Sequence, residues 1–150
     1  VIFGQPDNPE RLQGGLGNSL IPANVDESVI DEVHWLNDQE AFTATLQLAS
    51  REKIFAGNSS GSVYAVARWL SQQVPQQTHI AAIFADRGDR YFNTLYSEAY
   101  RRVKGITHLH LPDAPEEVTA TAVVTSWAFA VRSSHKCKLE KRAAWDLSVS

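Results

Sequence analysis

With 150 residues, 43% of them hydrophobic, the chain carries enough apolar material for one domain-sized core. A net charge of -3 with both signs interspersed provides no concentrated basic face for nucleic acid. A single cysteine, Cys137, excludes an internal disulfide and a multi-cysteine metal site and fits a reducing, cytoplasmic setting; the apolar run Thr121 to Val131 falls far short of the roughly 20 residues that span a bilayer.

In chain order, Val1 to Phe3 reads as a strand, and the segment from Gly4 to Gly17, rich in glycine and proline, as a loop. Ile30 to Leu36 has the β-branched and aromatic character of a strand. Asn37 followed by Glu40 makes a capping box, and Phe42, Leu46 and Ala49 follow at helical spacing, so a helix is predicted from Asn37 to Glu52. The short apolar segment Ile54 to Ala56 is predicted as a strand, Gly57 to Ser62 as a small-residue turn, and Val63 to Gln73 as a second helix with Val63, Val66, Ala67 and Leu70 on its buried stripe. The apolar run His79 to Ala85 suits a strand covered on both faces. A turn at Asp86 to Tyr91 and a short helix from Thr94 to Val103, ended by Gly105, complete the regular part.

Alternation of strand and helix predicts an α/β fold with an open, mainly parallel sheet and flanking helices. We expect residues 1–106 to form this domain and 107–150 to be an extension or tail. In that tail His108 and His110 alternate, which on a strand would place both imidazoles on one face; exposed strand histidines are the ordinary outcome and no third ligand stands at useful spacing. His135, Lys136, Lys138, Lys141 and Arg142 form a basic cluster whose ordinary reading is a solvated tail.

Two motifs carry the chemistry. Gly57-Asn58-Ser59-Ser60-Gly61-Ser62 leads from a strand into a helix N-terminus, where backbone N–H groups and hydroxyls face whatever docks. Asp86-Arg87-Gly88-Asp89-Arg90-Tyr91 follows the next apolar run. On its own each is no more than an N-cap or a turn. In this order, and with Arg11-Leu12-Gln13-Gly14-Gly15-Leu16-Gly17-Asn18, Ile21-Pro22 and Ser28 to Val33 upstream, they resemble the C-terminal half of the cysteine synthase-like family, the fold-type II pyridoxal phosphate enzymes. The resemblance runs from Val1 to Val103.

The resemblance implies the larger, cofactor-binding domain of such an enzyme. Ser59 matches the serine opposite the pyridine nitrogen of pyridoxal 5'-phosphate, with Gly57 and Asn58 approaching the ring through backbone. Gly15, Leu16 and Gly17 match the loop that closes on the amino-acid substrate, and glycine suits such a hinge. A neutral hydroxyl at Ser59 donates a hydrogen bond and leaves the ring nitrogen largely unprotonated, which favours loss of a β-substituent over transamination. The implied reaction is β-replacement on an activated serine, O-phosphoserine or O-acetylserine, through an aminoacrylate, with glutamate, another amine or sulfide as nucleophile. The Asp-Arg-Gly-Asp-Arg-Tyr turn leans towards synthases of the 2,3-diaminopropionate precursor in siderophore and antibiotic pathways.

The Schiff-base lysine and the phosphate-holding loop of the family lie in an N-terminal half that these residues do not match. The expectation is therefore a fragment without a catalytic residue of its own, inactive alone, that works with the N-terminal half of the same enzyme in a homodimer. No nucleic acid, membrane or metal is expected as a partner. A truncated, non-enzymatic α/β module that serves in interaction or regulation is the alternative. A mononucleotide site is weaker, since no Gly-x-Gly-x-x-Gly or Walker pattern follows a strand.

Overall fold

A computed structural model describes residues 8–16, 22–119 and 122–132. Among these, β1 (Glu32–Trp35) leads into two helices, α1 (Asp38–Arg51) and α2 (Asn58–Ser71), then a short helix α3 (Glu98–Val103) and two strands, β2 (Glu116–Glu117) and β3 (Ala128–Val131). Single 3-10 turns at Glu27–Val29 and Gly88–Tyr91 punctuate the connections. The predicted strand Val1 to Phe3, Gly17, Cys137 and the basic cluster lie outside the described residues.

Helix α1 starts where the capping box requires. Asn37 Oδ1 accepts from Glu40 N, and Glu40 Oε2 accepts from Asn37 N, both at 2.9 Å, which satisfies two of the otherwise orphaned amides of a helix start. Helix α2 packs along α1 at its N-terminal end, and Gly61 makes that approach possible. A Cβ at Gly61 would stand 2.3 Å from the Ala41 carbonyl oxygen and 2.2 Å from Thr45 Oγ1. Apolar clusters then form on two sides of α1: Phe42, Leu95 and Ile106 on one, Ala44, Ala65 and Trp127 on the other.

The fold is α/β, but the sheet is not the open, mainly parallel one expected. Three strands lie in the order β1-β3-β2, with β1 and β3 antiparallel and β2 and β3 parallel. The strand partner of β1 comes from the apolar run in the predicted tail, with Trp35 opposite Ala128 and Glu32 opposite Val131. Once Ala128–Val131 pairs with β1, alternate residues Ala128 and Ala130 are buried, while Phe129 packs on Trp69 of α2.

Two predicted strands do not form. Ile54 to Ala56 contributes only an isolated antiparallel bridge, Ala56 to Arg87. The run His79 to Ala85 belongs to no strand among the described residues, and Ile83 is 80% exposed. A strand needs a neighbour to take its N–H and C=O groups, and hydrophobicity alone supplies none. Helix α2 also departs from expectation. It begins at Asn58, so the small-residue turn is its first turn, and it buries Asn58 to Ser62 and Ala65, leaving Val63, Val66, Ala67 and Leu70 only partly covered. Helix α3 starts later than predicted, at Glu98, with Ser97 as its cap; Gly105, at φ 75°, follows its C-terminal end. His108 and His110 lie in irregular backbone, where the His110 N–H donates to the His108 carbonyl at 2.9 Å, and both are exposed. The one-face alternation of a strand is not realised there.

Candidate active site

The small-residue turn is held from below by the Asp86 turn. Gly57 N donates to the Asp86 carbonyl at 2.8 Å and Gly88 N to the Phe55 carbonyl at 3.1 Å, so the backbone on either side of Ala56 is clipped to the turn. The demand for glycine at position 57 comes from the same contact: a Cβ there would lie 2.6 Å from Tyr91 Cε2 and 2.8 Å from Asp86 Cβ. Gly88 in turn lies against the Phe55 ring. Tyr91 is fixed because its hydroxyl donates to Asp86 Oδ2 at 2.5 Å. That bond, helped by Arg90, holds the Asp86 carboxyl below its usual range; the same bond, with burial, pushes the Tyr91 phenol above its own against the opposing charge of Arg90. Tyr96 donates to the Ala56 carbonyl at 2.7 Å and packs on Phe55.

From this support α2 presents its first turn. Asn58 is 5% exposed and Ser59 9% exposed. Gly57, the N-cap residue, offers no side-chain acceptor; the Ser60 amide donates to the Gly57 carbonyl at 3.1 Å, and the Asn58 and Ser59 amides receive no side-chain cap. Asn58 Oδ1 and Ser60 Oγ are buried without a hydrogen-bond partner. Buried polar atoms of this kind are uncommon and cost roughly 1–3 kcal/mol each when left unpaired.

The structure brings the glycine loop to this turn. Gln13 Nε2 donates to Ser62 Oγ at 2.6 Å, and Asn58 Nδ2 donates to the Leu12 carbonyl at 3.3 Å. Ser59, Asn58 and the loop root thus share one neighbourhood, although they are far apart in sequence. Gly15 has a φ of 83°, which favours glycine. Leu16 reaches a groove of about 280 Å³ lined also by Ser62, Val63, Val66 and His34. Gly17 is outside the described residues. Sequence reasoning missed the roles of Gln13 and of Asp38, whose carboxylate accepts from Leu12 N and Gln13 N, because both depend on contacts between distant segments; a glutamine beside a glycine pair was the available signal.

His34, on β1, was also missed. Its Nδ1 accepts from Trp127 Nε1 at 3.1 Å, which places the remaining ring proton on Nε2, where Glu32 accepts it. It sits among Trp69, Trp127 and Phe129. No set of three or more His, Cys, Asp or Glu side chains able to hold a metal occurs among the described residues. No helix there is long and apolar enough to cross a membrane.

A glycine loop is thus bonded to a serine-rich helix start, and over much of its length the chain is similar in sequence to a known synthase. In particular, the chain is 40% identical over 103 residues to the N-(2-amino-2-carboxyethyl)-L-glutamate synthase of Cupriavidus metallidurans (strain ATCC 43123 / DSM 2839 / NBRC 102507 / CH34), a match that covers 67% of this chain and 30% of that synthase. The matched part is therefore less than a third of the relative's length. No family model matches the chain.

Proposed function

We propose that these residues form part of a pyridoxal 5'-phosphate-dependent β-replacement synthase that joins an activated serine to an amine nucleophile, glutamate being favoured by the name of the relative. The observation that carries the reading is the meeting of two separate motifs at one place, the Gln13 to Ser62 bond between the glycine loop and the first turn of α2. On this reading the chain belongs to the larger domain of a fold-type II enzyme. The rest of the polypeptide supplies the Schiff-base lysine and the phosphate loop, and the complete protein is a homodimer.

The donor set fits the cofactor. Ser59 is mostly buried on a helix start, and no hydrogen bond from its hydroxyl to a described residue is seen, so a proton is available for the ring nitrogen. The unpartnered Asn58 Oδ1 adds an acceptor beside it. When bound, the cofactor supplies the electron sink for carbanion chemistry at the amino acid. Ser59 tunes that sink: a neutral hydroxyl donates without giving up its proton, so the ring is the weaker sink that favours β-replacement. Gly57 backs the α2 start against Tyr91 and holds Ser59 in place. Gly15, Leu16 and Gly17 bind the amino-acid substrate, O-phosphoserine or O-acetylserine, and exclude water as the loop comes down. The product is the precursor of 2,3-diaminopropionate.

Ser59→Ala in the complete protein tests the assignment. Loss of one hydrogen bond in a buried site, about 1–3 kcal/mol, lowers β-replacement turnover by about tenfold or more while cofactor absorbance is retained. Full turnover in Ser59→Ala rejects the role. Absence of cofactor binding in the unsubstituted complete protein rejects the enzyme reading and favours the interaction module.

A further inference from the structure

The first turn of α1 also reaches the glycine loop. Both carboxylate oxygens of Asp38 accept backbone N–H groups from consecutive loop residues, Oδ2 from Leu12 at 2.8 Å and Oδ1 from Gln13 at 2.9 Å. On the other side, the Leu12 carbonyl and the Gln13 amide are bonded to Asn58 and Ser62 of α2. Two residues are thus held between the N-termini of the two longest helices among the described residues. The hold ends abruptly. A Cβ added at Gly14 or Gly15 would meet nothing within 4 Å, and Leu16 is 43% exposed at the groove.

We propose that Asp38 is the positioning residue of the glycine loop: by fixing Leu12 and Gln13 it makes the Gln13–Gly14 junction the hinge for Gly14 to Leu16, and so sets where the loop meets the amino-acid substrate. This rests on the synthase reading of the site. A carboxylate suits the task because two adjacent N–H groups need two acceptor oxygens, which an amide lacks, and an ionised acceptor makes the stronger bonds. The same charge lies in the first turn of α1, where the helix dipole favours it. Ser62 stands three residues after Ser59 on α2, so the loop root and the cofactor-facing serine lie on one face of one turn. A shift of the root is therefore felt as a change in substrate binding, with little change in the bond-making step.

The test compares Asp38→Asn and Asn37→Ala in the complete protein. Asn37→Ala weakens the start of α1 and leaves both loop bonds in place, so it controls for general destabilisation. Amide hydrogen exchange is read at Leu12 and Gln13, and steady-state kinetics are measured with O-phospho-L-serine. Asp38→Asn is expected to lose about tenfold or more of the protection at both amides and to raise KM by about tenfold, with kcat nearly unchanged, as the loss of one charge-assisted bond implies. Asn37→Ala is expected to lower the melting temperature and move neither readout. Unchanged exchange in Asp38→Asn, or an equal rise of KM in both variants, overturns the proposal. If the unsubstituted protein has no turnover, the synthase reading and the substrate role fail together, and the exchange data still decide whether Asp38 holds the loop.

Discussion

Glu40 and Trp127 are joined by a hydrogen bond from the Trp127 backbone N–H to Glu40 Oε1 at 2.8 Å, so the residue that closes the cap of α1 also receives the start of β3. Glu40 is 4% exposed. Burial pushes its carboxyl above the ordinary range; the N–H groups of Asn37 and Trp127 and the nearby His110 oppose that rise. With a raised folded-state value, the folded protein holds the proton more tightly than the unfolded chain. The contribution of Glu40 is then fully present below the ordinary glutamate range and is lost as pH rises through its raised value.

Glu40→Gln keeps one oxygen acceptor and turns an NH2 group towards the other N–H, so it costs about 1–3 kcal/mol of stability. It also removes the slope. Urea unfolding of both proteins from about pH 4 to about pH 7 is expected to show the wild-type advantage largest at the acid end. A constant difference across that range would show that Glu40 does not titrate in the folded state as described.

The contact at Gly61 gives a sharper stability test. Because the nearest atoms to an added Cβ include the backbone oxygen of Ala41 and the backbone nitrogen of Thr45, at 2.3 and 2.5 Å, rotamer changes do not relieve it. Gly61→Ala must push α2 away from α1, at about 1–3 kcal/mol or more. Truncating Thr45 as well removes only the hydroxyl clash, so Thr45→Ala with Gly61→Ala is not expected to restore the midpoint of chemical denaturation. Full rescue would place the conflict at the side chain alone.

At the opposite end of the site, Tyr91→Phe separates two pH effects. The Tyr91 bond lowers Asp86, whose stabilisation is present above the ordinary aspartate value and is lost as pH falls through the lowered one. Asp86 raises Tyr91, whose contribution is present below the ordinary tyrosine value and disappears as pH rises through the raised one. Thermal melts of Tyr91→Phe are expected to lack the alkaline limb and to keep only the part of the acid limb that Arg90 sustains. The ultraviolet titration should lose one late-titrating phenol; if the lost phenol titrates in the ordinary range, the Asp86 contact is not maintained in solution.

How far these elements were legible in the sequence follows from the range of their interactions. The start of α1 was readable because Asn37 and Glu40 are three residues apart and complete each other. The Gly57 to Ser62 segment stood out in the sequence as small residues before a helix, but it is the first turn of α2, with Gly61 fitted closely against α1. That His79 to Ala85 forms no strand among the described residues was not legible, because apolar content does not reveal whether a partner strand is at hand. The same limit hid the pairing of β3 with β1 and the reach of Asp38 to Leu12, both set by residues distant in sequence.

The run from His79 to Ala85 yields the last prediction. Ile80 is 38% and Ile83 80% exposed, and the run joins no ladder among the described residues. Unpaired apolar segments of this kind template pairing with another chain. The isolated chain is expected to self-associate with rising concentration, and the exposure of Ile83 makes it the place to interrupt the process. Ile83→Lys removes an apolar side chain that the fold scarcely uses, so its effect on unfolding free energy stays within about 0.5 kcal/mol. It places a charge on the pairing segment, which disfavours edge-to-edge contact. Sedimentation equilibrium of the two proteins over a concentration series distinguishes the outcomes. A smaller weight-average mass for Ile83→Lys at equal concentration supports pairing through this run, whereas identical masses move the association to another surface.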